Sequence, residues 1–110
     1  MATPEGKVKQ KIKRLLNKYG VYSHMPVQNG MGAPTLDFVC CINGIYLSIE
    51  AKTRGKKPTT RQEKTMSQIR AAGGIAIWVD EDRYDQLEEL LQKLSGLQIT
   101  FNERTTQPSA

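Results

Sequence analysis

Apolar positions along the chain change their period several times, and each change marks an element. Val8, Ile12, Leu15, Leu16 and Tyr19 recur at helical spacing and predict a helix over 4–19, capped by Thr3, opened by Pro4 and stopped by Gly20. Val21–Val27 reads as a short strand, and Gln28–Pro34 as a loop. Leu36–Ile42 and Ile45–Lys52 are strand runs joined by Asn43-Gly44. That dipeptide between apolar runs is the strongest short-range hairpin signal, a two-residue type I′ turn. A basic loop, 53–58, leads to a helix starting at Thr60, with Glu63 completing a capping box and Gly73-Gly74 ending it. The run Ile75–Val79 suits a buried strand. Arg83–Leu94 is an amphipathic helix with Tyr84, Leu87, Leu90, Leu91 and Leu94 inward, and Leu97–Phe101 a last short strand. The order α-β-β-β-α-β, followed by a C-terminal helix, predicts an α/β fold in which helices flank a mixed sheet.

With 110 residues, the chain has room for one domain, expected over 1–102, with 103–110 as a polar, frayed tail. No apolar run approaches the roughly 20 residues needed to span a bilayer, and the N-terminus lacks the apolar stretch of a secretory signal. A cytoplasmic protein away from membranes is expected. Cys40 and Cys41 are adjacent, too close for an ordinary structural disulfide, and read as reduced strand residues. His24 has no Cys or His partner at zinc spacing. Gly30 and Gly32 are not followed by the lysine and serine of a phosphate-cradling loop.

The hairpin carries the chemistry. If Asn43 and Gly44 form the turn, paired residues have numbers summing to 87, which sets Asp37 opposite Glu50. Cross-strand neighbours share a face about 4.5–5.5 Å apart. Strand alternation also puts Glu50 and Lys52 on one face, with Tyr46 and Ser48, while Ile45, Leu47, Ile49 and Ala51 take the other. Two acids and a lysine therefore converge. Paired carboxylates repel unless something offsets them. One or two suffice for Mg²⁺, with the Ala51 carbonyl as a further oxygen, and Lys52 is placed to orient a water or stabilise developing phosphorane charge. Glu5, on the apolar stripe at the start of the first helix, is a third acid within reach, and its alternative role is to offset the helix dipole. Gln62 faces inward on the second helix, as a site residue or as the partner of Thr59 in a capping box.

A net charge of +5 favours a polyanionic partner. Lys7, Lys11, Arg14 and Lys18 make a ridge on the first helix, with Lys9 and Lys13 beside it. Arg54, Lys56, Lys57, Arg61 and Lys64 follow the acid pair. Lys7, Lys11, Arg14, Arg54, Lys56, Lys57 and Arg61 are the candidate DNA contacts, against the alternative of ordinary solvated faces. Tyr22 and Tyr46 are packing residues or platforms for bases.

Asp37, twelve intervening residues and then Glu50-Ala51-Lys52 resemble the motif of the PD-(D/E)XK nuclease superfamily. The wider pattern is similar to the VRR-NUC (virus-type replication-repair nuclease) domain: TPEGKVKQKIKRLL, NGMGAPTLDF, EAK, KPTTRQ and RAAGGIAIWV, covering about residues 3–80. One departure is Leu36, which holds the place of the proline usual before the motif acid. The resemblance implies a restriction-endonuclease-like core and a DNA endonuclease dependent on Mg²⁺ or Mn²⁺. Glu5, Asp37 and Glu50 would be the metal-site acids, Lys52 the catalytic lysine and Gln62 the helix-borne glutamine. It further implies action on branched DNA such as a Holliday junction, a homodimer, and a stand-alone phage type working in a bacterial host's cytoplasm. The alternatives are a nuclease acting on ordinary duplex or single-stranded DNA, a non-catalytic nucleic-acid-binding module of the same fold, and a small structural protein with an incidental charge pair.

Overall fold

The computed structural model of the chain describes residues 3–27 and 34–97. Helix α1 spans Pro4–Lys18. Thr3 caps it by accepting from the Gly6 N–H at 2.9 Å, and Gly20 leaves it at φ +65°, a conformation that glycine adopts without a side-chain penalty. Strand β1, Tyr22–His24, is shorter than the predicted 21–27. Val21 is instead a buried core residue, and Pro26, which has no N–H to donate, follows closely. Strands β2 (Phe38–Ile42) and β3 (Ile45–Ala51) form the hairpin. Asn43 and Gly44 have φ of +54° and +82°, the double positive φ of a type I′ turn. The Asn43 side chain also donates to the carbonyls of Leu94 and Leu97, tying the turn to that distant stretch of the chain.

Helix α2 spans Thr60–Ala71, strand β4 Ile75–Val79, and helix α3 Tyr84–Ser95. Arg83, expected inside the last helix, precedes it. Its guanidinium stacks on the Trp78 ring, 3.8 Å from the centroid, and donates to Asp80 at 2.8 Å. The predicted strand over 97–101 lies outside the described residues beyond Leu97, as do the loop residues 28–33 and the tail. Among the described residues no helix is long and apolar enough to cross a membrane.

The sheet order is β1-β2-β3-β4, with β4 parallel to β3 and the other pairs antiparallel. This is the expected α/β arrangement of a mixed sheet flanked by helices. Leu47, Ile49, Ala51 and Phe38 face α1 and α3 in the main core with Val8, Ile12, Leu16, Leu87 and Leu91. Leu36, Met66 and Ala76 form a smaller core on the opposite face, with Ile69 and Trp78 packed against it. Helix α2 packs on β4 and β3. Alternation along β3 therefore sends Glu50 to the α2 side, away from the main core.

Gly74 marks a close approach between α2 and the sheet: a Cβ there would lie 2.9 Å from Ile69 Cγ2 and 3.0 Å from Tyr46 Cδ1. Gly74→Ala is expected to lower stability by about 1–2 kcal/mol, the cost of overpacking, read as a lower urea midpoint with an unchanged slope.

Candidate active site

The register that places the acids is the expected one, with Phe38 opposite Ile49 and Ile42 opposite Ile45. Asp37, however, lies just before β2 and not within it, which corrects the expected strand start at Leu36. Continuing the ladder would pair Leu36 with Ala51. Instead the Ala51 N–H is accepted by Asp37 Oδ2 at 2.9 Å. The carboxylate takes the place of a backbone carbonyl, and Leu36 is free to bury itself in the core beneath α2. The same bond pins Asp37 beside the end of β3, so the two acids converge although Asp37 has left the strand.

Glu50 is 4% exposed. Its Oε2 accepts from Gln62 Nε2 at 2.8 Å and lies 3.9 Å from Lys52 Nζ. Burial, followed by the charge and hydrogen bonding of Asp37, pushes its pKa up to about 8, against a smaller opposing pull from Lys52. Asp37 Oδ1 is 3.6 Å from Lys9 Nζ. Two acids, side by side and each with a lysine beside it, thus line one opening.

Gln62 resolves a choice that the sequence left open. The capping box of α2 joins Thr59 and Gln62, not Thr60 and Glu63. Thr59 Oγ1 accepts from the Gln62 N–H at 3.2 Å, and Gln62 Oε1 accepts from the Thr59 N–H at 2.9 Å. That leaves Nε2 for Glu50, so one amide both starts the helix and holds the acid. The two roles read as alternatives are simultaneous.

Glu5, Lys9, Met25, Pro26, Asp37, Glu50, Lys52 and Gln62 line a polar cavity of about 360 Å³. Glu5 is exposed on its wall. It does not join the acid pair: among the described residues no three His, Cys, Asp or Glu side chains gather as a metal cluster. Lys9 is the residue that sequence reasoning left outside the site. Its signal was its position four residues after Glu5, which puts both on one helix face.

The other basic candidates differ in how free they are. Arg54 donates Nε and NH2 to Asp82 at 2.9–3.1 Å, and its backbone N–H goes to Glu81. Lys11 sits 5.9 Å from the Tyr84 ring centroid, and Lys18 is 2.6 Å from Glu88. The ridge on α1 thus leans partly on α3. Lys7, Arg14, Lys56, Lys57 and Arg61 are exposed.

The oxygen-only donors of the acid pair fit a hard divalent cation. A cation would offset the repulsion that, with burial, drives Glu50 toward its protonated form. The N–H and C=O of a single residue in an extended strand point to the same side, so the Ala51 carbonyl faces the side from which Asp37 approaches. Asp37, Glu50 and the Ala51 carbonyl are the groups that would hold such an ion.

The architecture and site define a mixed-sheet α/β protein with an acid–lysine cavity at the open end of its hairpin. No family model matches the chain, and no curated protein does. Among solved structures, the chain is similar to a VRR_NUC domain, with a TM-score of 0.68 and 22% identity over 80% of this chain and 97% of the other. The chain has the fold of that domain.

Proposed function

We propose that the protein is a metal-dependent endonuclease that hydrolyses phosphodiester bonds in DNA. The observation that carries this reading is the convergence of Asp37, buried Glu50 and Lys52 in one polar cavity; the fold shared with a VRR_NUC domain agrees with it. Mg²⁺ or Mn²⁺, held by Asp37, Glu50 and the Ala51 carbonyl, would supply Lewis-acid polarisation of the phosphoryl group. Glu5, on the wall of the same cavity, would reach the ion through water. Gln62 fixes the orientation of Glu50. Lys52 orients the attacking water and balances negative charge as it gathers on the phosphoryl oxygens. Water oxygen bonds to phosphorus and gives up a proton to solvent, the P–O bond to the leaving strand breaks, and the leaving oxygen takes up a proton from solvent. Exposed Lys7, Arg14, Lys56, Lys57 and Arg61 hold the backbone, with Lys11 and Arg54 joining as their internal contacts allow.

The substrate is DNA with a branch, chosen by shape: no recognition helix or finger is available among the described elements to read bases. A two-fold dimer would present one site to each of two strands. The test is cleavage of labelled four-way junction, flap, nicked and linear DNA with Mg²⁺, Mn²⁺ or EDTA, with the native mass measured alongside. Cutting that needs the metal and favours branched forms is expected. Binding to all four without cutting in any metal would replace the nuclease with a non-catalytic binding module.

A further inference from the structure

The sheet face that carries Glu50 continues away from the active site. Beyond Glu50, strand alternation and register place two cross-strand pairs on it in successive rows: Ser48 with Val39, then Tyr46 with Cys41. Helix α2 covers this face over β4 and β3, and Tyr46 remains 44% exposed at its margin. Between Tyr46 and the flank of α2 lies a second cavity of about 430 Å³, walled by Tyr46, Ile69, Ala72 and Gly74, with Thr65 and Gln68 as polar members. It is mostly apolar, and among the described residues no acid lines it. Its volume is in the range of small-ligand sites, about 300–1,000 Å³.

We propose that this cavity seats an unpaired base of the DNA strand that runs through the active site, so that the preferred substrate carries unpaired nucleotides beside the cut. The inference rests on the nuclease reading and specifies its substrate. Three features choose a nucleotide as the occupant. An aromatic ring forms one wall, and every base has a face that can stack on one. Gln68 offers both a donor and an acceptor to a base edge. Arg61 stands on the same flank of α2, since 61, 65, 68 and 72 are spaced four, three and four, and it lies at the end nearest the acids, where the strand's phosphates must pass. From Glu50 to Tyr46 is four residues of strand, roughly 13 Å. From Gln62 to Gln68 is six residues of helix, about 9 Å. The cavity is thus about three nucleotides from the cut at the ~3.4 Å rise of a stacked strand. A paired base, stacked on both sides within a duplex, cannot enter a slot between a helix and a sheet.

Cys41, beside Tyr46 in the register, is exposed, whereas Cys40, the chain's other cysteine, is buried. Thiol alkylation therefore reads this face without any mutation. The experiment measures the alkylation rate of the full-length protein, and the binding of single-stranded, forked and blunt duplex oligonucleotides by fluorescence anisotropy, in Ca²⁺. The variants are Tyr46→Ala and Tyr46→Phe, and cleavage of each DNA in Mg²⁺ is followed in parallel. Single-stranded and forked DNA are expected to slow alkylation severalfold, and blunt duplex not to. Tyr46→Ala should weaken binding of the unpaired substrates by about 5- to 150-fold, the range for losing one stacked base, and of duplex by less than twofold, while Tyr46→Phe stays close to wild type. Equal loss on all DNAs, or no protection of Cys41 by any, would overturn the base seat. So would protection that depends on protein concentration and not on DNA, because a second copy of the chain would then occupy the face. Cutting that persists without discrimination removes only this inference, whereas no cutting of any DNA removes the nuclease reading itself.

Discussion

Lys52→Ala is expected to lower the cleavage rate at saturating DNA by at least about 100-fold, the loss seen when a single preorganised charge-stabilising donor is removed, while DNA affinity changes little. Lys52 lies just past the end of β3 with its ammonium 3.9 Å from Glu50 Oε2, and its side chain is only 13% exposed. Its charge pulls the Glu50 pKa down. Its removal would both strip the developing charge of its partner and leave Glu50 more readily protonated, which weakens any cation site that includes it. The two effects separate on titration with metal: raising Mg²⁺ restores what is lost through affinity and leaves the catalytic deficit. Lys9→Ala provides the contrast. Lys9 approaches Asp37 at 3.6 Å from the more open wall, with a side chain 31% exposed, so its loss should act mainly on DNA or metal binding. A defect of equal size in Lys9→Ala, with Lys52→Ala active, would move the catalytic ammonium to α1.

The hairpin was legible from the sequence because its information is local. Asn43-Gly44 admits few turns, the turn fixes the register, and the register fixes which residues are neighbours. Glu50, Lys52 and Asp37 could therefore be brought together without knowing the rest of the fold. The exit of Asp37 from the strand was not legible. It depends on a side chain competing with a backbone carbonyl for the Ala51 N–H, and on a small core under α2 that draws Leu36 in. Neither leaves a periodic trace. Gln62 shows the same limit: its capping partner Thr59 is local and readable, but its bond to Glu50 depends on where α2 lands on the sheet. Lys9 was hidden for a related reason. A run of lysines on one helix reads as a solvated ridge, and only the packing of α1 against β3 decides which lysine turns toward the acids. The basic surface was likewise legible as composition but not as availability, since Arg54 and Lys18 are already matched by Asp82 and Glu88.

Glu50→Gln is expected to stabilise the metal-free protein above pH 5 while abolishing cleavage. The direction follows from where the proton sits. In the unfolded chain Glu50 ionises near its ordinary value of 4.5, and in the fold only near 8. Below pH 4.5 both states carry the proton and the group costs nothing. As the pH rises from 4.5 to 8, the unfolded chain releases a proton that the fold retains, so stability falls across that window and stays low above it. Glutamine has no proton to lose and can still accept from Gln62. The variant should therefore match wild type near pH 4.5 and exceed it by on the order of 3 kcal/mol at pH 7, since a pKa difference corresponds to about 1.4 kcal/mol per unit. Urea denaturation at a series of pH values in EDTA measures this, and the difference from the variant cancels contributions from groups common to both. Saturating Mg²⁺ should reverse the order. A cation bound only to the fold adds stability according to its concentration over its dissociation constant, and wild type, with both carboxylates, gains more than the variant. Parallel pH profiles for the two proteins in EDTA would mean that Glu50 is ionised at no cost in the fold, and the acid pair would then lose its role as a site strained for a cation.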